Sequence, residues 1–467
     1  MKAAIVTLGC DKNTVDSERY AASLTDTGCE VVSDAAEADV IVVNTCGFID
    51  AAKKESIDAL VEAGRSRAAG RCRAVVALGC MVERHKAELE EALPEVDLFL
   101  GSSEVDRLIP ELVARGLIDP DGAPSPHPGV RRFTGGTPHV RYLKVSEGCD
   151  HGCAFCAIPL MRGRHRSFAL EDVVAEAQLL EAQGAREIAL VAQDLAHWGR
   201  DRRADGRSLP DLLQALLAET TVPWFRLLYV YSAGLTTRVL ELMAREPRLV
   251  PYVDMPIQHA SDAVLARMRR PERERTIRAT VKRIRETVPD VAIRSTCIVG
   301  FPGETDDDFA GLLGFLEEIA FDRLGAFTYS AQQGTRAAEL DDDVPDLLKR
   351  ERLERLEEVQ RLVTAERYEG RVGRVVRAMV DRRTDAGVEG RTIWQADEID
   401  GITMLAAGGG VESRPGTIVD AAVVSVVDDV NFDARVVGVA SPAPAPAATA
   451  SPTRSLRVLS TVGSFGR

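Results

Sequence analysis

The sequence predicts an α/β protein with three folded domains, and three observations support this prediction. The chain has 467 residues, which is too long for one ordinary domain. Up to about residue 343, short apolar runs rich in β-branched residues alternate with amphipathic stretches, a pattern typical of parallel sheets covered by helices. From residue 370 to 440, β-rich segments are separated by glycines instead. We therefore expect an amino-terminal open parallel sheet, a central partial (β/α) TIM-like barrel with six strands, and a carboxyl-terminal small antiparallel β-barrel that is OB-like.

Composition restricts the class of protein and its compartment. Hydrophobic residues make up 45% of the chain, which supplies ample core, and no apolar run is long enough to span a bilayer. The formal net charge of -14 disfavours a molecule that binds nucleic acid over its whole surface. Nine cysteines without an apolar leader are typical of the reducing cytoplasm, where thiols bind metals rather than form disulfides.

Residues 1–116 are predicted to form the amino-terminal α/β domain. Strand-like runs at 3–8, 40–44 and 74–78 are followed by helix-like stretches such as 51–63 and 82–93. The alternation predicts an open parallel sheet with helices on both faces.

Three cysteines lie just past the carboxyl ends of these predicted strands, namely Cys10, Cys46 and Cys80. Ligands of open parallel sheets bind in the crevice outside those ends, so three loops can bring their thiolates together there. We interpret the three as ligands of a metal cluster. The alternative is that they are ordinary buried thiols, which are frequent in α/β cores. Cysteines without this placement are interpreted as structural or incidental: Cys29, Cys72 and Cys297.

Residues 117–138 are rich in Pro, Gly and Ser and are predicted to be a linker. The second domain, 139–343, contains six strand-like runs with amphipathic stretches between them. These runs are 140–145, 188–192, 225–230, 252–255, 292–299 and 324–329. A parallel, partly closed barrel with its active groups at the carboxyl ends of the strands is the expected arrangement.

The first strand of this domain leads into three cysteines within eight residues, Cys149, Cys153 and Cys156. Three thiolates on one short loop suit an iron-sulfur cluster with three protein-bound irons and one open iron. His151 is the alternative fourth ligand of a zinc site, but its position between two of the cysteines makes that reach awkward. Three unrelated thiols are the remaining alternative, which the dense spacing disfavours.

Other predicted strand ends in this domain also carry polar residues. Gln193 and Asp194 follow one strand, and Gln258 and His259 follow another. The segment 297–304 runs from a strand through a glycine-rich turn into a helix, where the backbone can approach a ligand closely. Alone this turn is a weak signal, but beside a cluster it is a candidate nucleoside site.

The remainder of the chain is predicted from composition and periodicity. Residues 344–369 form a charged connecting helix with a sparse apolar stripe, interpreted as a solvated connector. Residues 370–440 form the small barrel. The Ala- and Pro-rich stretch 441–467 is expected to be disordered.

The cysteine loop and the order of the domains resemble a known family, the radical S-adenosylmethionine methylthiotransferases. The resemblance covers nearly all of residues 1–440, and the small barrel resembles the substrate-recognition module called TRAM. It implies two 4Fe-4S clusters, with Cys10, Cys46 and Cys80 as ligands of the auxiliary one. It also implies two roles for S-adenosylmethionine: its cleavage at the cluster of the cysteine loop gives the radical, and a second molecule donates the methyl group after sulfur from the auxiliary cluster has been added.

The resemblance also implies contacts and partners. Gln193 and Asp194 match the region that borders the methionine moiety of S-adenosylmethionine. Residues matching the region around its ribose and adenine are Arg294, Ile298, Gly300, Gly303 and Glu304. An electron donor such as flavodoxin or ferredoxin is implied, while the sulfur donor stays open.

Two subfamilies must be distinguished, one acting on an adenosine of tRNA and one on an aspartate of the twelfth small-subunit ribosomal protein. The segments 191–194 and 390–401 resemble the ribosomal-protein enzymes, although Asp397 stands where that pattern usually has proline. Residues 367–435 contain 9 Lys and Arg against 12 Asp and Glu, a net charge of -3. A barrel that grips phosphates should be basic, whereas an acidic one suits a basic ribosomal protein.

We therefore expect methylthio insertion at the β-carbon of an aspartyl residue in that ribosomal protein, without strong tRNA binding. The tRNA-directed enzyme is the alternative of the same class. A non-catalytic iron-sulfur protein that binds RNA is the alternative of a different class, and an acidic barrel that merely aids solubility remains open.

Overall fold

The computed structural model describes residues 1–70, 72–119, 131, 135–406 and 414–443. The three largest β-structures follow one another along the chain: a five-stranded sheet, a six-stranded sheet and a closed five-stranded barrel. Much of the predicted linker (120–130 and 132–134) and of the predicted tail (444–467) lies outside the described residues. No helix in the described part of the chain is long and apolar enough to cross a membrane.

The amino-terminal sheet is parallel throughout, with the strand order β2-β1-β3-β4-β5. Its apolar residues form one buried cluster on each face, so helices cover both sides, as predicted. The edge strands β2 and β5 escaped prediction because strands of three and four residues carry little periodicity. The elements are β1 (Lys2–Thr7), α1 (Asp11–Asp26), β2 (Glu30–Val32), β3 (Val40–Thr45), α2 (Asp50–Ala69), β4 (Ala74–Gly79), α3 (Cys80–Ala92), β5 (Leu98–Gly101) and α4 (Leu108–Ala114).

The central sheet is also parallel, and its six strands follow the chain order from one edge to the other. The edge strands β6 and β13 do not pair with each other in the described structure, so the sheet is a partial barrel, as predicted. The elements are β6 (Val140–Lys144), β7 (Ser146–Glu147), α5 (Ile158–Arg162), β8 (Arg166–Ser167), α6 (Leu170–Ala182), β9 (Glu187–Val191), α7 (Leu209–Glu219), β10 (Trp224–Leu227), α8 (Thr237–Arg245), β11 (Leu249–Asp254), α9 (Asp262–Arg267), α10 (Glu274–Thr287), β12 (Ala292–Val299), α11 (Asp306–Ile319) and β13 (Arg323–Thr328).

The connecting helix α12 (Asp346–Glu369) is packed more deeply than a solvated connector. Leu356 is fully buried against the central core, and Gln360 donates a hydrogen bond to the carbonyl of Phe321 over 2.9 Å. Arg352 is buried because its guanidinium pairs with Glu304 at 3.0 Å. A pattern of apolar residues cannot reveal charged residues that are buried as ion pairs. The sequence therefore predicts less burial for this helix than the structure shows.

The carboxyl-terminal barrel closes in the order β14-β15-β16-β18-β17. The predicted small barrel is confirmed; four of its ladders are antiparallel, as expected, and the ladder between β16 and β18 is parallel. The reason is geometric, because a closed ring with an odd number of strands cannot alternate direction at every pair. Its strands are β14 (Val375–Thr384), β15 (Gly387–Thr392), β16 (Thr403–Ala406), β17 (Ile418–Val427) and β18 (Asn431–Ser441).

A buried ion-pair network attaches this barrel to the central sheet. The Arg391 guanidinium lies 2.9 Å from Glu187, the first residue of β9, and 2.8 Å from Asp381 of β14. Asp397 lies 3.3 Å from the same guanidinium and accepts a hydrogen bond from Thr137. The acidic residue at position 397 therefore has partners, as a buried carboxylate requires.

Candidate metal centres

The three amino-terminal cysteines follow three neighbouring strands. β1, β3 and β4 are adjacent in the sheet, so the loops that carry Cys10, Cys46 and Cys80 leave the same edge side by side. Gly9 makes the close approach of two of these loops feasible, since a Cβ there would lie 2.9 Å from the Sγ of Cys46. Its φ of +94° is also one that residues with a side chain rarely adopt.

The thiols of this triplet interact with one another. Burial, followed by the neighbouring Cys10, raises the pKa of Cys46 to about 12. Burial raises the pKa of Cys80 to about 11, with Cys10 adding in the same direction. The site thus disfavours the thiolate forms of Cys46 and Cys80 unless a cation is bound. A metal supplies that charge, so the donor set fits an iron cluster.

Asn13 ties the triplet's loops together, and sequence reasoning missed it. Its amide nitrogen donates to the carbonyl of Leu8 over 2.7 Å and to the carbonyl of Thr45 over 3.2 Å. Leu8 directly follows β1, and Thr45 is the last residue of β3, directly before Cys46. An asparagine three residues after a ligand cysteine was the available signal, but only the fold reveals which carbonyls it reaches.

The second triplet lies on the loop between β7 and α5 at the carboxyl edge of the central sheet. The loop turns at Gly148, where a Cβ would lie 2.1 Å from the carbonyl oxygen of Arg164. Burial is the main reason that the pKa of Cys149 is raised to about 11 and that of Cys156 to about 12, and the neighbouring Cys153 contributes to both. As in the first triplet, two of the thiols have raised pKa values and need a bound cation to form thiolates. These donors therefore also fit an iron cluster.

Aromatic and charged side chains surround Cys153. The Tyr231 hydroxyl lies 3.3 Å from its Sγ, and the Arg270 guanidinium stacks on the Tyr231 ring at 4.0 Å. His151 stacks against the same Tyr231 ring, with 4.0 Å between the ring centroids. Neither Tyr231 nor Arg270 carries a motif, so sequence reasoning had no signal for them.

Asp194, a predicted site residue, is almost completely buried and positions this group. One carboxylate oxygen lies 2.8 Å from the Nε2 of His151. The other accepts backbone hydrogen bonds from Ala196 over 2.8 Å and from Tyr231 over 3.3 Å. Asp194 therefore orients the ring of His151, a residue of the cysteine loop itself.

Gln193 contacts the start of the same loop. Its side-chain nitrogen donates to Glu147 over 3.0 Å, and Glu147 in turn pairs with Lys144 at 2.6 Å. Gln193 and Asp194 thus both contact the start of the cysteine loop, at Glu147 and His151 respectively.

Arg294 and Ile298 lie on β12, which is separated by β11 and β10 from β9, the strand that precedes Gln193. Arg294 pairs with Asp254 at 3.0 Å. Ile298 packs in a small apolar cluster with Phe155 of the cysteine loop. Ile298 is therefore the member of this pair that the structure brings to the loop.

The glycine-rich turn after β12 is filled by neighbouring side chains. A Cβ on Gly300 would lie 2.3 Å from the Cγ of Lys349, and one on Gly303 would lie 3.2 Å from the Arg267 guanidinium. Glu304 accepts backbone hydrogen bonds from Gly300 over 2.7 Å and from Phe301 over 3.2 Å. With Arg352 as its ion-pair partner, the Glu304 carboxylate is committed to holding the turn.

Arg162 joins the two triplets, and no sequence pattern pointed to this residue. It ends α5, six residues after Cys156, and its Nε donates to the Sγ of Cys80 over 3.0 Å. Its Nη1 pairs with Asp16 of α1 at 2.6 Å. Ala157 and Met161 pack directly on Cys80. The two candidate centres are therefore neighbours across the interface of the two sheets.

Comparisons with known proteins agree with this division. The model of Uncharacterized protein family UPF0004 matches residues 2–101, which include the first triplet. The model of the Radical SAM superfamily matches residues 143–316, which include the second.

Curated relatives match most of the chain. The ribosomal protein uS12 methylthiotransferase RimO of Anaeromyxobacter sp. (strain K) is 44% identical over 433 residues, 91% of this chain and 91% of that one. The RimO of Desulforudis audaxviator (strain MP104C) is 45% identical over 426 residues, 90% of this chain and 94% of that one. Among solved structures, the radical S-adenosylmethionine methyltransferase TsrM of Kitasatospora setae aligns with a TM-score of 0.51 at 14% identity, over 70% of this chain and 72% of that one. That likeness concerns the fold alone.

Proposed function

This chain belongs to the RimO family of ribosomal protein uS12 methylthiotransferases, and from that premise we propose that it inserts a methylthio group at the β-carbon of an aspartyl residue in uS12. The observation that carries the proposal is the adjacency of two cysteine triplets, joined by the hydrogen bond from Arg162 to Cys80. One triplet suffices for a radical enzyme. Two neighbouring triplets suit a reaction that makes a radical and then adds sulfur to it.

Each triplet would hold one 4Fe-4S cluster. Cys149, Cys153 and Cys156 would hold the cluster at which S-adenosylmethionine binds the open iron, and Cys10, Cys46 and Cys80 would hold the auxiliary one. When bound, these cofactors supply the radical, the sulfur and the methyl group. Both clusters and a ribosomal substrate are consistent with the reducing cytoplasm, where free cysteines persist.

The chain's own residues position these groups and keep water out. Asp194 orients the ring of His151 in the cysteine loop, and the Tyr231 hydroxyl contacts Cys153. Arg270 covers the Tyr231 ring and is itself buried. The burial of Asp194 and Arg270 helps to shield a reactive radical from side reactions.

The carboxyl-terminal barrel supports a protein substrate over tRNA. Its net charge of -3 over residues 367–435 offers little attraction to phosphates. Ribosomal proteins are basic, so an acidic module favours their encounter. We accordingly propose no strong tRNA binding, and an external one-electron donor of the flavodoxin or ferredoxin type.

The test compares uS12 from a strain that lacks this gene with uS12 from its parent by mass spectrometry. Loss of the mass of one methylthio group, restored by the wild-type gene but not by a Cys153→Ala copy, is the expected result. An unchanged uS12 together with a tRNA nucleoside that loses its methylthio group would establish the tRNA-directed alternative. Absence of deoxyadenosine after anaerobic reconstitution with reductant and S-adenosylmethionine would contradict both enzymes.

A further inference from the structure

Lys12 lies in the first turn of α1, two residues after Cys10, and points into the interface between the amino-terminal and central sheets. Only 7% of the residue is exposed, and its Nζ lies 3.4 Å from the centroid of the Tyr229 ring. Val15, one turn further along α1, is fully buried in an apolar cluster with Val191 and Leu228 of the central domain. The ammonium is therefore held where the two domains meet.

This ammonium lacks a carboxylate partner in the part of the chain that the structure describes. The two other buried lysines behave differently, since Lys144 pairs with Glu147 at 2.6 Å and Lys349 pairs with Asp342 at 2.6 Å. Asp11 is the acidic neighbour of Lys12 in sequence, but the two form no ion pair. A buried charge without an opposite charge is costly, and a ring face offsets only part of that cost. Lys12 is thus suited to an anionic group that arrives from outside the chain.

The position of Tyr229 indicates where that group would lie. Tyr229 follows the carboxyl end of β10, and its φ of 61° is unusual for a residue with a side chain. Asp254 holds this backbone by accepting a hydrogen bond from the Tyr229 N–H over 3.1 Å, and Asp254 also pairs with Arg294. The ring beneath Lys12 is therefore fixed at the active edge of the central sheet.

We infer that the Lys12 ammonium binds the side-chain carboxylate of the target aspartyl residue, an inference that rests on the proposed function. The carboxylate is attached directly to the β-carbon, so an ion pair with Lys12 fixes the position of the reacting carbon. Lys12 is only two residues from Cys10 in sequence, so that carbon is held on the side of the first triplet. It also distinguishes aspartate from asparagine, because the neutral amide does not compensate a buried ammonium. Lys12 is in this view a specificity-determining residue.

The test is a double-mutant cycle on binding. The reconstituted enzyme, with S-adenosylmethionine and without reductant, binds purified uS12 carrying either the native aspartate or its Asn replacement. Lys12→Met should raise the Kd for native uS12 about tenfold or more, and should leave the Kd for the Asn form unchanged. Lys54→Met is the matched control, since it removes one exposed positive charge from α2 and should change neither Kd. Lys12→Gln serves as a second neutral variant if Lys12→Met does not fold.

Further measurements distinguish the target aspartate from other anionic groups that Lys12 would bind. An equal loss of affinity for both forms of uS12, or no loss for either, would overturn the inference. A tenfold weaker binding of S-adenosylmethionine alone would assign the carboxylate to that cofactor and overturn it too. A shifted midpoint potential of the auxiliary cluster, with uS12 binding unchanged, would mean that Lys12 serves the cluster. If the wild type modifies uS12 while the cycle shows no coupling, only the Lys12 inference fails; if the wild type does not modify uS12, the proposed function fails with it.

Discussion

The Nε of Arg162 donates a hydrogen bond to the Sγ of Cys80, with 3.0 Å between the two atoms. The donor belongs to the helix that follows the second cysteine triplet, and the acceptor belongs to the first triplet. The same guanidinium pairs with Asp16, so it is buried between two domains with its charge compensated. A cation that contacts one ligand sulfur stabilises additional negative charge on that site.

We predict that Arg162→Met lowers the midpoint potential of the auxiliary cluster by about 60 mV or more, the equivalent of a tenfold change in the equilibrium for one electron. The reason is that hydrogen bonds to cluster sulfurs favour the reduced, more negative state. An electron paramagnetic resonance redox titration measures this, in a background where Cys149, Cys153 and Cys156 are Ala.

Asp16→Asn is the control for this variant. It weakens the Arg162 ion pair but leaves the N–H donor to Cys80 in place. Its midpoint potential should stay closer to that of the parent. Equal potentials in Arg162→Met and the parent would contradict the role given to this hydrogen bond.

The two triplets should separate two activities. Cys153→Ala should abolish the release of deoxyadenosine, whereas Cys46→Ala should retain that release and lose methylthio transfer. Chromatography of deoxyadenosine and mass spectrometry of uS12 measure the two products from one reaction. Cys297→Ala is the control, since this buried cysteine belongs to neither triplet. Equal loss of both products in the Cys153 and Cys46 variants would argue against separate roles.

Arg391 should anchor the carboxyl-terminal barrel. Arg391→Met leaves Glu187 and Asp381 buried with fewer partners, and removing one member of a buried ion pair costs about 3–5 kcal/mol. Hydrogen-exchange mass spectrometry of peptides from β14 and β15 should detect the loss of protection. Arg382→Met in the neighbouring strand β14 is the matched control, because the Arg382 side chain is largely exposed and such a pair, here with Glu389, is worth about 0–1 kcal/mol. Similar exchange in both variants would disprove the anchoring role.

Burial lowers the pKa of His259 to about 4 from 6.5, so this residue should make stability depend on pH. Above pH 6.5 neither the folded nor the unfolded state binds the proton. Between about 6.5 and 4 only the unfolded state binds it, so stability falls as the pH falls, by about 2 kcal/mol at pH 5.

His259→Asn should remove this part of the pH dependence. The Asn oxygen can replace the Nδ1 that accepts a hydrogen bond from the Ser261 N–H over 2.9 Å. The cost of the smaller side chain is the same at both pH values and cancels in the comparison. Urea denaturation midpoints at pH 7 and pH 5 measure the effect. A variant whose midpoint falls as much as that of the wild type would refute the assignment.

Local patterns made much of this protein predictable. The spacing of Cys149, Cys153 and Cys156 places three thiols on one loop whatever the remainder of the chain does. Cys10 and Cys46 were recognisable because the topology of a parallel sheet brings strand ends together. The parallel pairing of β16 with β18 was not predictable from strand patterns alone, since alternation along a strand does not specify its partner.

The sequence by itself determined the fold class, the two cysteine triplets and the order of the domains, because these depend on periodicity and on short spacings. Only the tertiary structure decided that Arg162 contacts Cys80, that Lys12 lies on the Tyr229 ring, and that the Glu304 carboxylate accepts hydrogen bonds from its own turn. The first two contacts join residues that are far apart in sequence. The third depends on which groups donate hydrogen bonds to the Glu304 carboxylate in the folded protein. Long-range packing sets such contacts, and no local pattern encodes them.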